Sequence, residues 1–195
     1  NLAAIQVAIF SIQLTLLDYQ EPSDIETFRC PPLLNTNFFE SDFFETKKPF
    51  NDVFENLHFR FIMGNPPWKG GGIGQTGLQY LKARKKFEKP LKKPYEIAVN
   101  NGEIAEGFVL RVSDFCKEQT QIALIVRSSI LYNLGYKTDF SPFRKYWLQE
   151  FFVNQVFELA PVRKEVFDRS NNDTAIAPAA VLFYQYADGK NTDES

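Results

Sequence analysis

The chain is poor in the side chains that hold transition metals. Its single histidine is His58, and its two cysteines, Cys30 and Cys116, have no paired spacing. That set excludes a structural zinc site of any common ligand pattern. Two unpaired thiols fit a reduced, cytoplasmic protein. An excess of positive charge is also missing: 22 basic residues face 24 acidic ones, for a net charge of −2. The chain as a whole is no basic cushion for nucleic acid, so any contact with DNA or RNA has to use a local patch. A long unbroken apolar run is absent too. The stretch NLAAIQVAIFSIQLTLLDY is interrupted by Gln6, Ser11, Gln13 and Thr15, and it falls short of the roughly 20 apolar residues of a membrane span. It has neither a basic leading segment nor a small-residue cleavage site. We read it as a helix buried in a core, with no membrane role. Methionine occurs once, at Met63, and the chain starts at Asn1, which reads as a trimmed or expressed piece of something longer. No internal repeat is present.

Aromatic side chains are abundant instead. Phenylalanine alone contributes 20 of 195 residues, and 44% of the chain is hydrophobic. That is enough for a sizeable core in about one domain. Residues 2–18 carry a helical stripe of Ile5, Ile9, Ile12 and Leu16, and a proline-punctuated loop follows. A short strand is expected to end near Phe39, and a second, HFRFIM, to stop at Gly64. Residues 69–101 read as a long irregular region with a glycine run and the basic stretch LKARKKFEKPLKK. A helix is expected over about 103–118, with Ile104, Phe108, Val112 and Phe115 on one face. The continuous apolar run QIALIV at 121–126 reads as a strand buried on both faces of a parallel sheet. Ser141-Pro142 marks a helix start, and strands are expected at 152–159 and 179–186. Strands alternating with helices predict an α/β fold with a mostly parallel sheet.

The chemistry concentrates after the strand that ends at Gly64, in Asn65-Pro66-Pro67-Trp68. In open α/β sheets the carboxyl edge is where ligands bind. Asn65 offers one amide acceptor and two donors there. Pro66 and Pro67 lack N–H groups and fix their own φ, and each pushes the preceding residue into an extended conformation. The result is a stiff turn that presents carbonyl oxygens beside the flat face of Trp68. Two acceptors and an aromatic face suit a flat heterocycle with an exocyclic amino group. Holding both amino hydrogens draws the nitrogen lone pair out of the ring and makes it a nucleophile. Stacking of a base on the indole contributes ~1–3 kcal/mol, and the geometry is set before reaction.

This turn resembles the (Asn/Asp/Ser)-Pro-Pro-(Tyr/Phe/Trp) motif of amino-methyltransferases that use S-adenosylmethionine. The wider FRFIMGNPPWKGGG is most similar to the adenine-specific DNA methyltransferases of restriction-modification and phage-defence systems. The resemblance implies a Rossmann-like S-adenosylmethionine-dependent methyltransferase fold. NFFESDFFE resembles the family's acidic-aromatic motif, which implies that Asp42 and Phe43 hold the adenine end of the cofactor, with Asn65 also beside it. QIALIVRSSILYN resembles the family segment ending in Pro-Ser-Ser, with Arg127 where the proline stands. FRKYWLQEF, VNQVFELAPVRKEVF and AIAPAAVLFYQ resemble the closing helix, strand and hairpin, and Phe167 falls at the place of the aromatic that packs on the flipped target base. Such enzymes swing the base out of the duplex, and the resemblance implies that Trp68 and Phe167 face each other across it.

The resemblance also implies what lies elsewhere. A glycine-rich turn after a first strand and an acidic end to a second strand are expected upstream of Asn1. Residues 1–187 then form the latter two-thirds of a methyltransferase domain, with 69–101 as an inserted loop region and 188–195 as a polar tail. By itself this piece is expected to be inactive. A separate or fused target-recognition domain and a nuclease are further expected partners. Several blander readings stand beside these. Phe167 also suits a core, Asp42-Phe43 is a common pair, and the basic stretch is either a solvated surface or a phosphate contact. The glycine run lacks the following Lys-Ser/Thr of a phosphate cradle and reads as a mobile loop closing over the target. His58 and the cysteines read as structural. The same turn also serves methyltransferases of RNA bases or of glutamine amides in proteins. A catalytically incomplete scaffold or DNA-binding module is the non-enzymatic alternative.

Overall fold

The computed structural model describes residues 1–47, 49–68, 73–88, 93–96, 104–117, 119–132, 142–162, 165 and 178–186. Two compact units are distinguished, Asn1–Asn56 and Leu57–Ser195.

The first unit opens with α1 (Leu2–Asp18), capped by the Asn1 side chain, which accepts from the Ala3 N–H at 3.1 Å. The helix lies where the periodicity places it, but no residue of it is buried. This corrects the expectation of a core helix. Ile5, Ala8, Ile9, Leu16 and Leu17 are half-covered, while Val7 and Phe10 are 65% and 60% exposed. Apolar residues surround the helix on all sides, and only one stripe is covered. The aromatic core of this unit lies further on. Phe39 and Phe50 both pack on Phe54, with centroids 5.3 and 5.8 Å apart, on α2 (Pro49–Glu55). No strand forms near Phe39. Asn35 takes a left-handed φ of 60° and closes a tight turn that leaves only an isolated bridge between Leu34 and Phe38.

The second unit is built on a sheet of β1 (Phe61–Gly64), β4 (Gln121–Arg127), β5 (Phe151–Glu158) and β6 (Ala179–Tyr186), in the order β1-β4-β6-β5. The expected mostly parallel sheet is corrected here: β1 pairs parallel with β4, but β6 is antiparallel to both β4 and β5. The cause is chain order, since β6 follows β5 and turns back between it and β4. The expectation that β4 is buried on both faces fails in part. Ile122, Leu124 and Val126 are at most 2% exposed, and the alternate residues are half-covered. Mixed pairing leaves one face better covered than the other.

Helix α4 (Ile104–Val112) and α6 (Pro142–Glu150) bring Val109, Leu110, Phe143, Tyr146 and Trp147 into the core. Trp147 and Phe151 both meet the Tyr184 ring edge-on, at 5.6 and 5.1 Å. The region expected to be irregular holds α3 (Gly74–Ala83) and an antiparallel ribbon of β2 (Lys85–Glu88) and β3 (Lys93–Glu96). Ile73, Gly77, Tyr80 and Leu81 form the buried stripe that makes α3 worth folding. A short helix, α5 (Ser129–Tyr132), follows β4. Among the described residues, no helix is long and apolar enough to cross a membrane, and no cluster of three or more metal-ligating side chains occurs.

Candidate active site

β1, β4 and β5 run in the same direction, so their carboxyl ends share one edge of the sheet. The start of β1 is tied to β4 by Thr120, whose buried hydroxyl donates to the Phe59 carbonyl at 2.8 Å, and by the Gln121 N–H, which donates to the Arg60 carbonyl at 3.0 Å. Its end is set by Gly64, which pairs with Leu124. A Cβ at Gly64 would lie 3.2 Å from Leu124 Cδ2, tighter than ordinary packing. The absence of a side chain therefore lets the two strands close up just before the turn.

Beyond Gly64 the turn alternates. Asn65 is exposed, Pro66 is buried, Pro67 is exposed and Trp68 is half-buried. The buried proline anchors the turn while the amide before it stays open to solvent. This arrangement leaves Asn65 exposed at the carboxyl end of β1.

Two further polar groups lie at the same edge. Ser128, directly after β4 and 2% exposed, donates from Oγ to Glu158 Oε1 at 2.7 Å. The same oxygen accepts the Ala160 N–H at 3.0 Å, past the end of β5. Glu158 Oε2 is buried and meets no hydrogen-bond partner among the described residues. Ser128 also donates its N–H to the Pro178 carbonyl at 2.9 Å, so one residue joins the exits of β4 and β5 to the entry of β6. Ser128 stands in the segment compared above with Pro-Ser-Ser, while nothing in the sequence singled out Glu158. An acidic residue closing an apolar strand is its only signal.

Asp42 and Phe43 belong to the first unit. The Asp42 carboxylate is exposed and its Oδ1 accepts the Phe44 N–H at 2.9 Å. The half-buried Phe43 ring meets Phe44 edge-on at 5.9 Å. Phe167, the glycine run at 70–72 and Ser141 lie outside the described residues. The Asn65-Pro66-Pro67-Trp68 turn, Ser128 and Glu158 thus form the edge the second unit presents.

Away from this edge, burial governs the titrating groups. It raises the Tyr184 hydroxyl well above the usual tyrosine range, with a smaller contribution from Cys116. The Cys116 thiol is pushed up to about 12, by burial first and the Asp114 carboxylate second. Cys116 is therefore inert at neutral pH, and Cys30 is exposed.

No curated protein and no solved structure matches the chain. A family model does, that of the Eco57I restriction-modification methylase, over residues 1–167. That match covers most of the 195 residues, and with a mixed α/β unit whose sheet edge presents an Asn-Pro-Pro-Trp turn, the chain belongs to the Eco57I restriction-modification methylase family.

Proposed function

We propose that this chain carries the catalytic turn of an S-adenosylmethionine-dependent, Rossmann-like methyltransferase that modifies the exocyclic amino group of adenine in DNA, within a restriction-modification system. The observation that carries the reading is the exposed Asn65 amide at the carboxyl edge of β1, held by the buried Pro66 and the close packing of Gly64 on Leu124. Membership of a restriction-modification methylase family supports methyl transfer and DNA as the substrate.

The residues fit such a cofactor by donor chemistry. An exposed carboxylate on Asp42 beside the Phe43 ring offers an acceptor for an amino group and a face for an adenine. When bound, S-adenosylmethionine supplies an electrophilic methyl group. The work of the chain is on the target nitrogen. Asn65 Oδ1 and a proline carbonyl of the turn accept the two amino hydrogens, which localises the lone pair on nitrogen and turns it toward the methyl donor. The proton lost after transfer leaves along one of these hydrogen bonds to solvent. Trp68 stacks on the extruded base, and Phe167 closes its other face. Because the acceptors are fixed before the base arrives, no reorganisation is spent during the reaction.

The test is labelled methyl transfer by the full-length gene product carrying this chain, with DNA, RNA and protein pools offered in parallel. Transfer to DNA at adenine N6, abolished by Asn65→Ala with DNA affinity held within a few fold, is the expected result. Transfer chiefly to RNA or protein, or an Asn65→Ala enzyme of unchanged rate, would falsify the assignment.

A further inference from the structure

Charge in this chain is unevenly placed. Seven of the 22 basic residues fall in the twelve positions 82–93, which hold one acidic residue, Glu88. The remaining positions carry 15 basic against 23 acidic residues. A polyanion is repelled by that remainder and attracted only locally.

The structure divides this stretch between the end of α3 and a two-stranded ribbon. Arg84 turns inward. It pairs with Asp114 and donates to the Tyr146 hydroxyl and the Leu110 carbonyl, each at 2.9 Å. Together with the buried Tyr80 and Leu81, it fastens the end of α3 to α4 and α6. The next residue begins β2, so the ribbon grows directly from a clamped helix end. A two-stranded ribbon is marginal by itself, and the clamp gives it a fixed base. Lys82 is exposed on the last turn of α3, Lys85 and Lys86 occupy β2, and Lys93 occupies β3. In the backbone register Lys85 is the partner of Glu96, Lys86 of Tyr95 and Lys93 of Glu88.

We propose that the β2–β3 ribbon, with Lys82 at its base, is a contact surface for the phosphate backbone of double-stranded DNA. This rests on the proposed function for its choice of partner. The ribbon binds without regard to sequence, neutralising phosphates so that target recognition is left to other contacts. Arg84, the one guanidinium of the stretch, serves as the fastener because its planar fork reaches several acceptors at once. The lysines are point charges suited to a mobile row of phosphates.

The experiment measures binding of the full-length protein to a short duplex of random sequence as salt is varied. Wild type is compared with a variant carrying Lys82, Lys85, Lys86 and Lys93 all replaced by Gln, and with one carrying Arg at the same four places. Each phosphate contact contributes about 0.9 to the slope of log affinity against log salt, so the Gln variant should lose about 2–4 of that slope and at least about tenfold in affinity near 100 mM salt. The Arg variant should match wild type, and the transfer rate at saturating DNA should be unchanged in both. An unaltered slope in the Gln variant would overturn the proposal while leaving the proposed methylation intact. Equal losses in the Gln and Arg variants would overturn it as well, by showing that shape and not charge matters. So would a loss confined to single-stranded RNA. A wild-type protein that neither binds duplex DNA nor methylates it would overturn both readings.

Discussion

Arg84 donates to the Tyr146 hydroxyl at 2.9 Å across 62 positions of sequence, and in the same network it pairs with Asp114 and approaches the Ser113 hydroxyl. Tyr80 donates to Asp114 at 2.8 Å, and Arg111 donates to the same carboxylate at 2.6 Å. One carboxylate and two guanidiniums thus join α3, the turn after α4, and α6. Burial opposes the charge on Arg84, and its anionic and phenolic neighbours outweigh that effect and hold the guanidinium protonated.

Arg84→Met should therefore destabilise the protein by about 1–3 kcal/mol, because it takes one of the two guanidiniums from Asp114 and removes the donor to the Leu110 carbonyl and the Tyr146 hydroxyl. The two partners remain 21% and 28% exposed, which keeps the cost below that of a fully buried pair. Arg84→Lys should recover only part of it, since an ammonium cannot reach the same acceptors. Urea denaturation midpoints decide the matter, and a Lys variant as stable as wild type would contradict the network account.

Ser128→Ala removes the donor to Glu158 and leaves a part-buried carboxylate oxygen with the Ala160 N–H as its remaining described partner. A loss of about 1–3 kcal/mol is expected. Glu158→Gln keeps an acceptor for the Ser128 hydroxyl and should cost less. Thermal melting of the single and double variants gives the coupling energy, and strict additivity would mean that the pair does not act as a unit.

Trp68 stands half-buried behind the exposed Asn65 turn. Stacking on the target base predicts that Trp68→Ala lowers kcat/KM for DNA by roughly five- to 160-fold, corresponding to ~1–3 kcal/mol. Trp68→Phe should retain most of the activity. Steady-state kinetics on duplex DNA test this, and a Phe variant as poor as the Ala variant would point to packing of the indole and not to stacking.

The raised Cys116 thiol makes stability depend on pH at the alkaline end. The unfolded thiol ionises near 8.5, whereas the folded one stays neutral until about 12. Its contribution is complete below the unfolded value and is lost as pH rises toward the folded one. Stability should decline over that window, and Cys116→Ala should decline less steeply. The buried Tyr184 hydroxyl, also raised by burial, adds to the decline in both proteins. Parallel pH–melting curves for the two would remove the thiol from the explanation. With a thiol reagent at neutral pH, Cys30 should react in the folded protein and Cys116 should not.

Much of this molecule is legible from local pattern. The spacing of Ile5, Ile9, Ile12 and Leu16 located α1, the apolar run at 121–126 located β4, and 179–186 coincided with β6, because period and propensity act within a few residues of each other. The stiffness of the Pro66-Pro67 pair was equally readable, since proline dihedrals are a property of the residue itself. What local pattern leaves open is how elements meet. The mixed order β1-β4-β6-β5 depends on β6 turning back beside β4. The meeting of Glu158 with the buried Ser128 depends on three strand ends sharing one edge. The inward turn of Arg84, in a stretch that reads as a plain basic surface, depends on Asp114 and Tyr146 arriving from distant positions. Pairing and burial are set by contacts between residues far apart in sequence, and only the folded chain brings those residues together.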